Sequence, residues 1–310
     1  MANSKPKKIS KKSSDNKDLS KKTEETSVSN TSSTVDANAS NDTKVMKGFF
    51  ARKYDPNENI LTIFKGPKIW GALIGEAIGT MLVVMLLLTL GVGQPLYLVL
   101  CLVGVLVAVV GLSGANLNPL ITTGMMATRR MSAIRGVLYI LAQIFGAWIG
   151  LIIVNAFRLG SQTEQTLPQM ADVVGDTFII VALIELMGAI ILAFCFARAL
   201  KYAKKSPLTF GFTVSGVMAL VVILGIFIAQ GFFSLDSSFI FNPAAALMYQ
   251  ILPTSAENAG ELIQMVAFAI GAYVIVPMIG GIIGFYISDV TSRLACGGYF
   301  CDYDDQECAE

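Results

Sequence analysis

Six stretches of the chain, residues 69–91, 96–112, 133–157, 177–200, 208–230 and 262–288, are apolar over roughly the length that crosses a bilayer. A helix needs about 20 residues at 1.5 Å each for that. In hydrocarbon every backbone N–H and C=O must be satisfied within the protein, so such runs fold as helices packed side by side. The expected class is an all-α membrane protein with six transmembrane helices, the second run being the shortest. Two further apolar stretches, at about 118–128 and 242–252, hold only some ten residues each. They reach about 15 Å, half the hydrocarbon core, and are expected to enter and leave on one side as re-entrant half-helices.

The composition agrees with this class: 54% of residues are hydrophobic and 15% charged, against about 25% charged in soluble domains. The net charge of +1 conceals a strong partition, because twelve of the 23 Lys and Arg lie in the first 55 residues. No nucleic-acid partner follows from so local an excess. Residues 1–48 are rich in Lys, Ser, Thr, Asn, Asp and Glu, too polar to offset chain entropy by burial, and are expected to form a disordered tail. Histidine is absent, which excludes His-based metal sites and Ser-His-Asp catalysis. Neither a phosphate-binding loop nor a nucleophile and base pair is evident, so no enzyme, cofactor or metal is expected. Cys296, Cys301 and Cys308 form no CxxC pair and read as part of a second, acidic tail over 293–310.

Loop charges orient the chain. Arg129, Arg130 and Arg135 follow the second run, Arg198, Lys201, Lys204 and Lys205 follow the fourth, and Arg293 follows the sixth. The opposite loops carry Arg158 among Glu164, Asp172, Asp176, Asp236, Glu257 and Glu261. Positive charge stays inside, so both termini are expected on the cytoplasmic side of the cell membrane.

The two halves repeat. Glu76-Ala-Ile-Gly79 in the first run corresponds to Glu185-Leu-Met-Gly188 in the fourth, and Asn118-Pro119-Leu120 corresponds to Asn242-Pro243-Ala244. Each half, 69–158 and 177–288, holds three runs and one half-helix. Three is odd, so the second copy is inverted and its broken elements converge near the midplane with those of the first. Glycines at 71, 75 and 79, at 146 and 150, and at 280 and 284 are spaced by four, a pattern that allows close helix packing.

Ser113-Gly-Ala-Asn-Leu-Asn118-Pro-Leu-Ile-Thr122 resembles the first signature of the aquaporin and aquaglyceroporin (major intrinsic protein) family. Asn242-Pro-Ala is similar to the second, and Ala142-Gln143-Ile-Phe-Gly146 and Pro277-Met-Ile-Gly280 also resemble stretches of it. The likeness covers about residues 69–290 and implies a passive channel, assembled as a homotetramer with one pore per subunit. It also implies that Glu76 and Glu185 hold the re-entrant loops in place. Independently of the family, Asn is a preferred N-cap and Pro is favoured at the first helical position. Both half-helices are thus expected to start at the pore midpoint, with their positive dipole ends and the amides of Asn118 and Asn242 facing a passing oxygen.

The departures bear on the solute. Where the family places an arginine after the second motif, this chain has Ala245, and Ala246 follows instead of an aspartate. By offset, Phe239 and Leu98 fall at two further positions of the narrow outer filter, and Ile226 and Gln230 are both candidates for the fourth. Such a filter is largely apolar and suits the carbon backbone of glycerol or a similar small polyol together with water. Asn116 replaces the family histidine, and Leu120, an alanine in the family, either narrows the midpoint or fills space behind it. The alternatives are a strict water channel, an ion-coupled transporter using Glu76 and Glu185, and a non-conducting membrane scaffold.

Overall fold

The computed structural model describes residues 63–65, 67–90, 94–161, 175–235, 239–249 and 258–295. The tail expected over 1–48 and the cysteines at 296, 301 and 308 lie outside these residues. In chain order the elements are α1 (Pro67–Leu90), α2 (Pro95–Ser113), the half-helix α3 (Pro119–Ala127), α4 (Ala133–Ser161) and α5 (Asp176–Ala199). A single turn, α6 (Tyr202–Lys205), leads to α7 (Pro207–Phe233) and the second half-helix α8 (Pro243–Tyr249). The last span is α9 (Ala259–Ile270), a π-helical turn (Gly271–Ile275) and α10 (Val276–Ala295) in series.

Six of these segments, α1, α2, α4, α5, α7 and the continuous α9 to α10, are long and apolar enough to cross a membrane. The half-helices have 9 and 7 residues, or about 14 and 10 Å. Proline starts α1, α2, α3, α7 and α8, where its fixed φ suits the first turn and its missing N–H costs nothing. The second span runs 95–113, one residue beyond the expected run at either end. The sixth begins at 259 rather than 262, because the Asn258 side chain accepts the Glu261 N–H at 2.9 Å. That cap draws an acidic residue into the first turn, where the helix dipole favours it.

The packing follows the inverted repeat. The α1–α4 pair of the first half has its counterpart in α5–α10, α1–α2 in α5–α7, and α2 and α7 meet across the two halves. Each half-helix packs on the third span of the opposite half, α3 on α10 and α8 on α4. Close approach makes this possible: a Cβ at Gly146 would overlap the Ala77 carbonyl, and one at Gly281 the Leu120 carbonyl. Gly71, by contrast, faces open space, so the first four-residue stripe is a packing surface only at Gly75 and Gly79. Large apolar side chains such as Trp70, Leu96, Phe157 and Phe232 point outward, as a lipid-facing surface requires.

At one end of the bundle Arg130, just past α3, pairs with Asp289 of α10 at 2.5 Å. The guanidinium also lies 5.4 Å from the Phe285 ring centre, and Tyr286 Oη donates to the Ala127 carbonyl at 3.0 Å. The C-terminal end of α3 is thereby fastened to the sixth span.

Candidate functional site: a polar midpoint in an apolar lumen

The two Asn-Pro motifs meet. Asn118 Oδ1 accepts the Leu120 N–H at 3.0 Å, and Asn242 Oδ1 accepts the Ala244 N–H at 3.1 Å. Each asparagine thus caps its own half-helix, a contact worth about 1 kcal/mol. Their amide nitrogens cross over: Asn118 Nδ2 donates to the Phe241 carbonyl at 2.7 Å, and Asn242 Nδ2 to the Leu117 carbonyl at 3.1 Å. An amide NH2 has two donors, so one N–H ties the opposite loop and the second is left for the lumen.

Those accepting carbonyls belong to residues under backbone strain. Leu117 and Phe241 have φ of 51° and 50°, a left-handed conformation that costs a non-glycine residue about 1 kcal/mol or more. It is held because the turn aims each carbonyl at the opposite asparagine. Both side chains are buried, and each fills the space left by a glycine: a Cβ at Gly79 would overlap Leu117, and one at Gly188 the Phe241 ring. Sequence reasoning passed over this pair, since leucine and phenylalanine give no composition signal for a left-handed turn.

The two intramembrane carboxylates are not equivalent. Glu76, fully buried, accepts from four groups: Ser113 Oγ at 2.5 Å and Asn116 N at 3.1 Å on Oε1, and Leu117 N at 2.8 Å and Gln143 Nε2 at 2.7 Å on Oε2. Every partner is a donor, so the carboxylate fixes the first loop from the α1 side. Glu185 faces the backbone N–H groups of Ile240 and Phe241, but neither of its oxygens makes a hydrogen bond of normal geometry. Among the described residues, no side chain donates to Glu185 as Ser113 and Gln143 donate to Glu76.

At the midpoint a cavity of about 50 Å³ is lined by α1, α2, α5 and α7 and by both asparagines. Water requires about 10–15 Å³ measured this way, so a few water-sized groups fit. Its walls are apolar, among them Leu102, Leu106, Phe196 and Met218, and its polar groups are Asn116, Asn118, Asn242 and Ser215. Beyond the midpoint the filter candidates Leu98, Phe239 and Ala245 are each 2% exposed. The Phe239 ring stacks with Phe241, 6.2 Å between centres, and closes over Gly225. Ile226 is half-buried against the core, whereas Gln230 is exposed. Leu120 is fully buried with its backbone against Gly281 and does not line this cavity.

Comparison with known proteins places this architecture. The profile of the family described as major intrinsic protein matches residues 64–288. Probable aquaporin PIP2-1 of Oryza sativa subsp. japonica is 44% identical over 48 residues, which is 16% of this chain and 17% of that protein. Probable aquaporin PIP2-4 of Arabidopsis thaliana is 43% identical over 54 residues, 17% of this chain and 19% of that one. These matches span less than a fifth of the plant proteins. The solved aquaglyceroporin from Plasmodium falciparum superposes with a TM-score of 0.52 at 19% identity, covering 73% of this chain and 95% of its own, a likeness of fold. The family profile covers the six membrane spans, both half-helices and the crossed asparagines, and the chain belongs to the major intrinsic protein family.

Proposed function

We propose that the protein is a passive channel for small uncharged solutes, conducting glycerol or similar small polyols together with water. One observation carries the reading: two half-helix N-termini meet with one N–H of each asparagine amide tied down and one left over. A solute oxygen that accepts from these donors turns its own hydrogens away, which interrupts a proton wire. Cations meet two positive helix ends with little to replace their hydration.

The polyol preference rests on the filter. Leu98, Phe239 and Ala245 offer hydrocarbon where a guanidinium would supply five donors and a charge, and hydrocarbon favours the carbon backbone of a polyol. For the fourth position, the buried stripe Ser215, Met218 and Val222, at helical spacing on α7, favours Val222 or Ile226 over the exposed Gln230. A strict water channel is the second reading, favoured by the near-complete burial of Leu98, Phe239 and Ala245 and by the plant aquaporins that this chain resembles in part. The lysines and arginines of the loops support cytoplasmic termini, and the family resemblance a homotetramer.

Stopped-flow light scattering on proteoliposomes tests the function. Osmotic water flux and glycerol uptake above empty vesicles, unsaturated and independent of proton or sodium gradients, are the expected result. Water flux alone would assign a strict water channel, gradient-coupled uptake a transporter, and no flux of any solute a scaffold.

A further inference from the structure

Two residues that line the cavity each carry a buried polar atom without a hydrogen-bond partner among the described residues: Asn116 Oδ1 and Ser215 Oγ. Asn116 is 3% exposed and Ser215 0%. A buried group left unsatisfied is costly, and alanine at 215 would spare that cost, so the hydroxyl has a reason other than stability to be there.

The direction in which Asn116 points is dictated from Glu76. That carboxylate can only accept, so Gln143 presents its NH2 and donates both to Glu76 and, at 3.0 Å, to Thr122 Oγ1. Thr122 spends its own proton on the Asn118 carbonyl at 3.2 Å and can therefore only accept again. The third group at Thr122 is Asn116, which must offer Nδ2, at 3.4 Å. Its Oδ1 is thereby turned away from Thr122, in a residue that borders the cavity. On α7, across the cavity, Ser215 supplies a hydroxyl that can donate as well as accept.

We propose that Asn116 and Ser215 form a solute-binding station beside the midpoint that selects small polyols over water. A polyol hydroxyl donates to Asn116 Oδ1, a neighbouring one accepts from Ser215 Oγ or the spare N–H of Asn118 or Asn242, and the carbon edge rests on Leu102, Leu106 and Met218. Water in a file carries its own hydrogen-bond partners with it. A polyol passes alone and stripped of water, so it depends on what the wall supplies.

The inference rests on the polyol reading above, and one experiment separates the two. Glycerol and water permeabilities are measured in proteoliposomes for the wild type, Ser215→Ala, Asn116→Val and the hydroxyl-retaining Ser215→Thr, each checked by size-exclusion profile. The ratio of glycerol to water permeability is expected to fall about three- to tenfold in the first two variants, the worth of one hydrogen bond, and to recover in Ser215→Thr. A wild type that conducts glycerol, with the ratio unchanged in Ser215→Ala or Asn116→Val, overturns the station and leaves the channel reading standing. A wild type that admits water but no glycerol overturns the polyol reading and the station's ligand class together. If one variant fails to assemble, the ratio in the other decides by the same criterion.

Discussion

Replacing each intramembrane carboxylate by its amide tests whether the two re-entrant loops are held as differently as the contacts imply. In Glu76→Gln the shape is kept, but one oxygen becomes an NH2. Each oxygen of Glu76 accepts one backbone N–H, that of Asn116 on Oε1 and that of Leu117 on Oε2. Ser113 and Gln143 can turn to suit the amide, but a backbone N–H cannot. Either orientation of the new side chain therefore leaves one buried backbone donor facing another donor, at a cost of about 1–3 kcal/mol. At about 2–4 °C per kcal/mol for a fold of this size, the unfolding midpoint should drop by about 2–12 °C.

Glu185→Gln should disturb less, because among the described residues no hydrogen bond of normal geometry reaches either oxygen, and it removes an ionisable group from an apolar interior. Its midpoint should stay within about 2 °C of the wild type or rise. The assay is thermal unfolding in one detergent, followed by intrinsic fluorescence and by the size-exclusion peak after heating. Equal losses in the two variants would refute the reasoning, for they would mean that Glu185 binds the second loop as firmly as Glu76 binds the first.

Ala245→Arg should restore a charged donor to the filter and reduce glycerol permeability more than water permeability; equal loss, or none, would remove Ala245 from the constriction. Gly146→Val drives a side chain into the Ala77 carbonyl and should cost at least about 1–3 kcal/mol, read as lost expression of folded protein, while Gly71→Val, facing open space, should leave yield unchanged. Asp289→Asn removes the Asp289 carboxylate charge from beside the Arg130 guanidinium, 7% exposed. The thermal midpoint should fall, by less than the ~3–5 kcal/mol of a fully buried pair because the Phe285 ring remains beneath it.

Hydropathy alone marked all six spans and both half-helices, since the length of an apolar run against bilayer thickness is a one-dimensional property. The ends were placed less well wherever a cap decided them. Asn258 pulls Glu261 into a helix that apolar counting begins three residues later, and the polar end of the sixth span continues to 295 because Asp289 finds Arg130. The asparagines, prolines and glutamates were legible as repeated residues in register. Ser215 was not, for a serine within an apolar run gives no sign of whether it bonds to its own helix or faces a lumen. The fourth filter position was left between Ile226 and Gln230, because α7 extends to 233 and the distance from its end to Asn242 does not fix the register; Ile226 is half-buried and Gln230 exposed.

The inverted repeat constrains backbone geometry more tightly than side-chain chemistry. Leu117 and Phe241 adopt the same left-handed turn, and the asparagines exchange the same crossed hydrogen bonds, so two-fold equivalence holds at the midpoint itself. One step outward it fails. The first loop is anchored by Glu76 and by a chain of oriented groups through Gln143 and Thr122 that ends at Asn116, beside the cavity. The second loop has, among the described residues, a carboxylate with no hydrogen bond of normal geometry and an aromatic stack of Phe239 on Phe241. Polar side chains thus gather around the first loop and hydrocarbon around the second. For the proposed channel this division sets the terms of passage: every solute must be small enough for the hydrocarbon, and one with several hydroxyls, such as a short polyol, would gain more from the polar partners than water does.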